Sequence, residues 1–154
     1  MDEYKLTMHS EDDTIALAQN IESEKFPNMV ICLYGDLGSG KTVFTKAFAH
    51  AMGIDGVTSS TFNIIKEYNG ELPLYHMDVY RVTDNVDNLG IEEYFDKGGV
   101  TIIEWADMIK EYLPEERLDI IFKVTSENSR VLILRPHGEA YENVCSDIIW
   151  FAYL

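Results

Sequence analysis

The chain has 154 residues, with 27 Asp plus Glu against 12 Lys plus Arg, a formal net charge of −15 at pH 7, and 46% hydrophobic residues. That length suits one domain, the apolar fraction is too high for a disordered chain, and the acidic excess repels nucleic-acid phosphates, so free-standing RNA or DNA binding is not expected. No run of about 18 apolar residues occurs, and Asp2, Glu3, Glu11, Asp12 and Asp13 stand where a signal peptide would be basic and then apolar, so a cytoplasmic protein with no membrane attachment is expected. Cys32 and Cys145 form no C-x-x-C and no H-E-x-x-H is present, which argues against a disulfide framework or a zinc site.

Residues 3 to 8 alternate in polarity with the period of a half-buried strand. Ser10 followed by Asp13 resembles a helix-capping arrangement, and Ile15, Ala18 and Ile21 then recur at helical spacing, predicting a helix to about Glu24. Met29 to Tyr34 is a continuous apolar run of strand length, as in a parallel strand covered on both faces. From Lys41 to Met52 the apolar residues line one helical face, and Gly53 is placed to stop that helix. Phe62 to Tyr68 and Leu72 to Val79 flank Asn69-Gly70, a dipeptide suited to a tight hairpin, while Pro73 argues against full pairing there. A short helix near Ile91 to Phe95 and a buried strand from Val100 to Ile103, ending at Glu104, follow. A second hairpin joins Leu118 to Thr125 with Arg130 to Leu134, and an amphipathic helix runs from Tyr141 to Ala152.

The residues Gly35-Asp36-Leu37-Gly38-Ser39-Gly40-Lys41-Thr42 match G-x-x-x-x-G-K-[ST], the phosphate-binding P-loop. Its physics is local: glycines let backbone N–H groups converge on phosphate oxygens, the following helix adds its dipole, Lys41 adds charge, and the Thr42 hydroxyl can ligate Mg²⁺. An acidic protein can hold a nucleoside triphosphate this way. The fold class that follows is α/β: a single P-loop NTPase domain over residues 1 to 154 with a mostly parallel central sheet, antiparallel hairpin additions and flanking helices. A second acid is needed at the end of a neighbouring apolar strand, and both Glu104 and Asp78 qualify. No N-K-x-D guanine-reading element is present, and four arginines are few for clamping donor and acceptor phosphates, so an ATPase leads over a GTPase or a small-molecule phosphotransferase.

Beyond the P-loop, Val57 to Phe62, Leu74-Tyr75-His76-Met77-Asp78-Val79-Tyr80-Arg81, Gly90-Ile91 and Ile103-Glu104-Trp105 resemble the TsaE family of small bacterial ATPases, also called the YjeE family. The resemblance spans nearly the whole chain, and H-x-D-x-Y-R followed by E-W is far more specific than the P-loop. It implies weak, Mg²⁺-dependent ATP hydrolysis required for threonylcarbamoyladenosine at position 37 of tRNA. The implied partners are the other threonylcarbamoylation proteins, the transferase and its non-catalytic paralogue.

By the same resemblance Lys41 and Thr42 bind phosphate and Mg²⁺, and Glu104 supplies a second metal contact. Asp78 is a further candidate for metal or water positioning, and Ser59 and Thr61 belong to a switch-like loop in which Ser60 stands where proline is usual. Glu11 and Arg130 would border the adenine, the guanidinium plane being suited to stacking on a base. Trp105 is read either as a cover for the nucleotide or as core, and His76 either as a partner of Asp78 or as a structural histidine. A nucleotide-gated binding module that does not require hydrolysis is the reading from another class.

Overall fold

The computed structural model describes residues 3–57, 64–80 and 90–152. Its elements in chain order are β1 (Tyr4–Met8), α1 (Glu11–Ser23), β2 (Val30–Tyr34), α2 (Lys41–Ala51), β3 (Ile65–Tyr68), β4 (Leu74–Asp78), α3 (Ile91–Tyr94) and β5 (Val100–Glu104), then a 3-10 helix (Ala106–Tyr112), β6 (Arg117–Val124), β7 (Arg130–His137) and α4 (Glu139–Ala152). The strands form one seven-stranded sheet in the order β1-β7-β6-β2-β5-β4-β3. Pairing among β6, β2, β5 and β4 is parallel, and β7, β1 and β3 add on as antiparallel strands. The expected parallel centre with antiparallel additions is what the structure has.

Side-chain alternation splits the core. Ile31, Leu33, Ile102, Leu118, Ile120, Leu132 and Leu134 face a large cluster with Phe44 and Phe48 of α2, Ile21 of α1 and Ile148 of α4. Val30, Cys32, Met77 and Ile103 face a smaller cluster with Ile91 of α3 and Ile109 of the 3-10 helix. Both faces of β2 are therefore apolar, which explains its unbroken hydrophobic run, and β5 is buried on both faces with Thr101 the one polar residue before Glu104. Among the described residues no helix is long and apolar enough to cross a membrane.

Three local expectations are corrected. The β3–β4 connection is not a two-residue turn at Asn69-Gly70, because Tyr68 pairs with Leu74 and five residues lie between them. Gly70 serves instead a close approach, since a Cβ there would come within 3.0 Å of Ile54 Cδ1 and 3.2 Å of the Met52 carbonyl oxygen. At the start of α1 the Ser10 side chain caps nothing; the Asp13 carboxylate accepts the His9 backbone N–H at 2.8 Å. His76 does not bond Asp78: its Nε2 is paired with Glu104 Oε2. Phe62, Asn63 and Arg81 lie outside the described residues.

Candidate phosphate-binding site

Strand β2 delivers the glycine loop, and the topology decides what meets it. β2 lies between β5 and β6, so the loop after Tyr34 emerges beside the carboxyl end of β5, where open α/β sheets form their crevices. Register places Glu104 opposite Leu33 of β2 on one side and Asp78 of β4 on the other. Two carboxylates far apart in sequence thus arrive together at the base of the loop.

The loop is held open by backbone conformations only glycine adopts cheaply. Gly38 has φ 76° and Gly40, at the start of α2, has φ 110°. At Gly35, φ is 151° and a Cβ would lie 2.7 Å from Ser39 Oγ and 2.9 Å from the Phe122 carbonyl oxygen, so the loop packs against β6 with no room for a side chain. Ser39 Oγ is buried without a hydrogen-bond partner among the described residues. A buried hydroxyl with no acceptor or donor is costly unless a ligand completes it.

Lys41 is buried and folds back, with Nζ donating to the Gly35 carbonyl and to the Asp36 carbonyl at 3.1 Å. Nζ also lies 3.8 Å from the centre of the Trp105 ring, a cation–π distance. Burial pushes the Lys41 ammonium below its ordinary value, opposed by the charges of Glu104, Asp36, Asp78 and Asp107. Trp105 reaches this position because its backbone is left-handed, φ 63°, where a bulky residue is strained. That turn ends β5, starts the 3-10 helix and stacks the indole on Tyr80 with ring centres 4.5 Å apart.

Thr42 Oγ1 donates to Glu104 Oε1 at 3.3 Å, and Glu104 is 4% exposed. Asp78 is half-buried and accepts the Tyr80 backbone N–H at 3.2 Å. Burial raises its carboxyl above the usual carboxylate range; the Tyr80 N–H lowers it and the Glu104 charge raises it further. Thr42 and Glu104 offer two hard oxygens side by side, the donor type Mg²⁺ takes while keeping waters and phosphate oxygens as its other ligands. No group of three or more His, Cys, Asp or Glu able to hold a metal exists among the described residues, so no all-protein cage competes with that arrangement.

On the other side of the loop, Arg130 Nε donates to the Ser39 carbonyl at 3.1 Å and an Nη to the Gly38 carbonyl at 3.2 Å. Its other Nη donates to the carbonyls of Ser126 and Ser129, both at 2.9 Å, so the guanidinium ties the β6–β7 turn to the P-loop. The resulting cleft, about 510 Å³, runs from Lys41, Asp78 and Glu104 past Gly38 to Glu11 and Arg130.

A family model described as "Threonylcarbamoyl adenosine biosynthesis protein TsaE" matches residues 8–132. The chain belongs to the TsaE family. It is 47% identical over 139 residues to the tRNA threonylcarbamoyladenosine biosynthesis protein TsaE of Bacillus subtilis strain 168, covering 89% of this chain and 88% of that one. The protein of the same name from Treponema pallidum is 39% identical over 104 residues, 66% of this chain and 77% of the other. A crystal structure of Bacillus subtilis YdiB superposes with a TM-score of 0.84 at 42% identity, covering 97% of this chain and 96% of that one.

Most residues expected from the TsaE resemblance converge. Leu37, Gly38, Ser39, Gly40, Lys41, Thr42, Asp78, Glu104, Glu11 and Arg130 all line the cleft, and Asp36 contributes its carbonyl to the lysine. Thr61, with Ser59 and Ser60, lies outside the described residues. Arg130 is a clamp on backbone carbonyls in this structure, a task the sequence did not suggest. Also missed were Ser10, Thr14, Glu127 and Asn128 on the cleft wall, which come near the loop because β6 pairs with β2, setting the β6–β7 turn beside it, and because α1 packs on α2.

Proposed function

We propose that this protein binds ATP with Mg²⁺, hydrolyses it slowly, and acts in threonylcarbamoyladenosine modification of tRNA at position 37. Its partners in this reading are the other threonylcarbamoylation proteins, the transferase and its non-catalytic paralogue, in the cytoplasm. The relatives' names support the pathway. The observation that carries the nucleotide reading is the loop itself: open glycine backbone, an orphaned Ser39 hydroxyl, a lysine and the Thr42–Glu104 oxygen pair around one cleft.

In this mechanism backbone amides of residues 36 to 42 cradle the phosphates, and Lys41 leaves the Gly35 and Asp36 carbonyls to neutralise charge on the β and γ groups. Thr42 and Glu104 would hold the Mg²⁺, which when bound would offset phosphate charge. Asp78, whose raised carboxyl suits proton uptake, orients the attacking water or takes its proton at an Oδ atom. Arg130 is spent on carbonyls, which fits weak activity in isolation.

Purified Lys41→Ala should bind ATP about 10- to 150-fold more weakly, the loss of one charge-assisted contact. Equal affinity in the variant would refute the site. The gated-module reading draws on Lys41 packing against Trp105, because a lysine that moves to phosphate must give up its contact with an indole at the rim of the cleft. If a variant that binds ATP but cannot hydrolyse it supported full modification in a reconstituted system, that reading would replace hydrolysis.

A further inference from the structure

His76 is a buried group for which neither the phosphate cradle nor the core accounts. It is 1% exposed and sits on β4 on the same sheet face as Leu74, opposite Ile102 of β5, two register pairs before Asp78–Glu104. Its Nε2 is 2.5 Å from Glu104 Oε2, and the other oxygen of that carboxylate takes the Thr42 hydroxyl at 3.3 Å. Its Nδ1 is buried and has no hydrogen-bond partner among the described residues.

These contacts fix the tautomer. A carboxylate only accepts, so Nε2 carries the proton. Its hydrogen bond goes to one oxygen of one carboxylate. A histidine kept only for packing would be replaceable by an apolar residue of similar volume, without the expense of an unpaired Nδ1.

We infer that His76 is a positioning residue for Glu104: it holds Oε2 so that Oε1 is presented to Thr42 and to the Mg²⁺ of the proposed nucleotide complex. This rests on the Mg²⁺–ATP reading. Glu104 is a long side chain with several rotamers, and without the imidazole its carboxylate is free to turn away from Thr42. Outer partners that orient a ligand typically change metal affinity by about 10- to 100-fold when removed.

The test uses the full chain as His76→Leu and His76→Gln, with ATP titrated calorimetrically at graded Mg²⁺ and again in EDTA. His76→Leu should raise the Mg²⁺ concentration needed for tight ATP binding by about tenfold and leave affinity in EDTA unchanged. His76→Gln, whose amide N–H reaches about as far as Nε2–H, should restore most of the loss. In the unliganded parent, imidazole ¹⁵N shifts should report a proton on Nε2, and Glu104→Gln should move the Nε2–H signal.

An unchanged Mg²⁺ requirement in a folded His76→Leu overturns the inference. So does an Nδ1–H tautomer, or failure of a folded His76→Gln to recover the Mg²⁺ response. If His76→Leu does not fold, His76→Gln and the spectrum decide. A parent that binds no ATP with Mg²⁺ would instead sink the proposed function, and the tautomer and its response to Glu104→Gln would still decide whether the imidazole holds Glu104.

Discussion

Two buried carboxylates flank β2 one residue apart and on opposite faces of the sheet. Asp119 of β6 pairs with Cys32, and Glu104 of β5 pairs with Leu33; they are 6% and 4% exposed. Asp119 is saturated. Its Oδ1 takes the Tyr34 hydroxyl at 3.2 Å and Arg117 Nε at 3.0 Å, and its Oδ2 takes His137 Nε2 at 2.8 Å. Among the described residues Glu104 has no Lys or Arg in hydrogen-bond contact, only the Thr42 hydroxyl at 3.3 Å and a histidine whose second nitrogen has no partner. Burial alone therefore does not mark function. An acid whose donors close around it holds strands together, whereas one left facing an open cleft with incomplete donors is set up to receive a ligand.

Exchanging these acids separates stability from binding. The largest expected effect is on the fold: Asp119→Ala should cost about 2 kcal/mol, a discounted buried-pair value because the Arg117 and His137 side chains are 20% and 25% exposed. Thermal unfolding should then fall by roughly 4 to 8 °C, with ATP affinity unchanged. A variant that melted like the parent would show the Asp119 network to be inert, and one that lost ATP binding while folded would break the division between the two faces.

Glu104→Gln should do the reverse, keeping the melting temperature near the parent's while weakening the Mg²⁺ response of ATP binding by about tenfold. Calorimetry with and without Mg²⁺ reads this directly. A Mg²⁺ response equal to the parent's would remove Glu104 from the metal site and leave Asp78 as the acid to test.

The smallest effect concerns Asp78. Its carboxyl is raised in the folded chain, chiefly by burial, so the folded state favours the protonated form. The associated stability is present below the unfolded carboxylate value and lost as pH rises through the folded one. Asp78→Asn should flatten that part of the stability–pH curve and slightly raise the melting temperature at neutral pH. An identical pH slope in parent and variant would show that ionising Asp78 costs the fold nothing.

Much of the site was legible because its parts are local. The P-loop spacing needs only eight consecutive residues, and the apolar runs before Gly35 and Glu104 mark strands covered on both faces. Where signals depend on partners elsewhere, reading failed. Asn69-Gly70 has the composition of a tight turn, yet the approach of Met52 and Ile54 determines what Gly70 is for. His76 lies two residues from Asp78 and on its face, but the carboxylate it reaches belongs to the neighbouring strand.

The sequence by itself determined the open glycine loop, since Gly35, Gly38 and Gly40 at that spacing allow its positive-φ backbone whatever surrounds it. It also determined which strands are central, because hydrophobicity on both sides of a strand requires cover on both sides. Tertiary structure alone decided which acid stands beside Thr42, that Trp105 turns left-handed to lie over Lys41, and that Arg130 grips the loop's carbonyls. Those outcomes depend on strand order and register, which bring together residues 60 to 90 positions apart, and spacing along a chain carries no record of such distances.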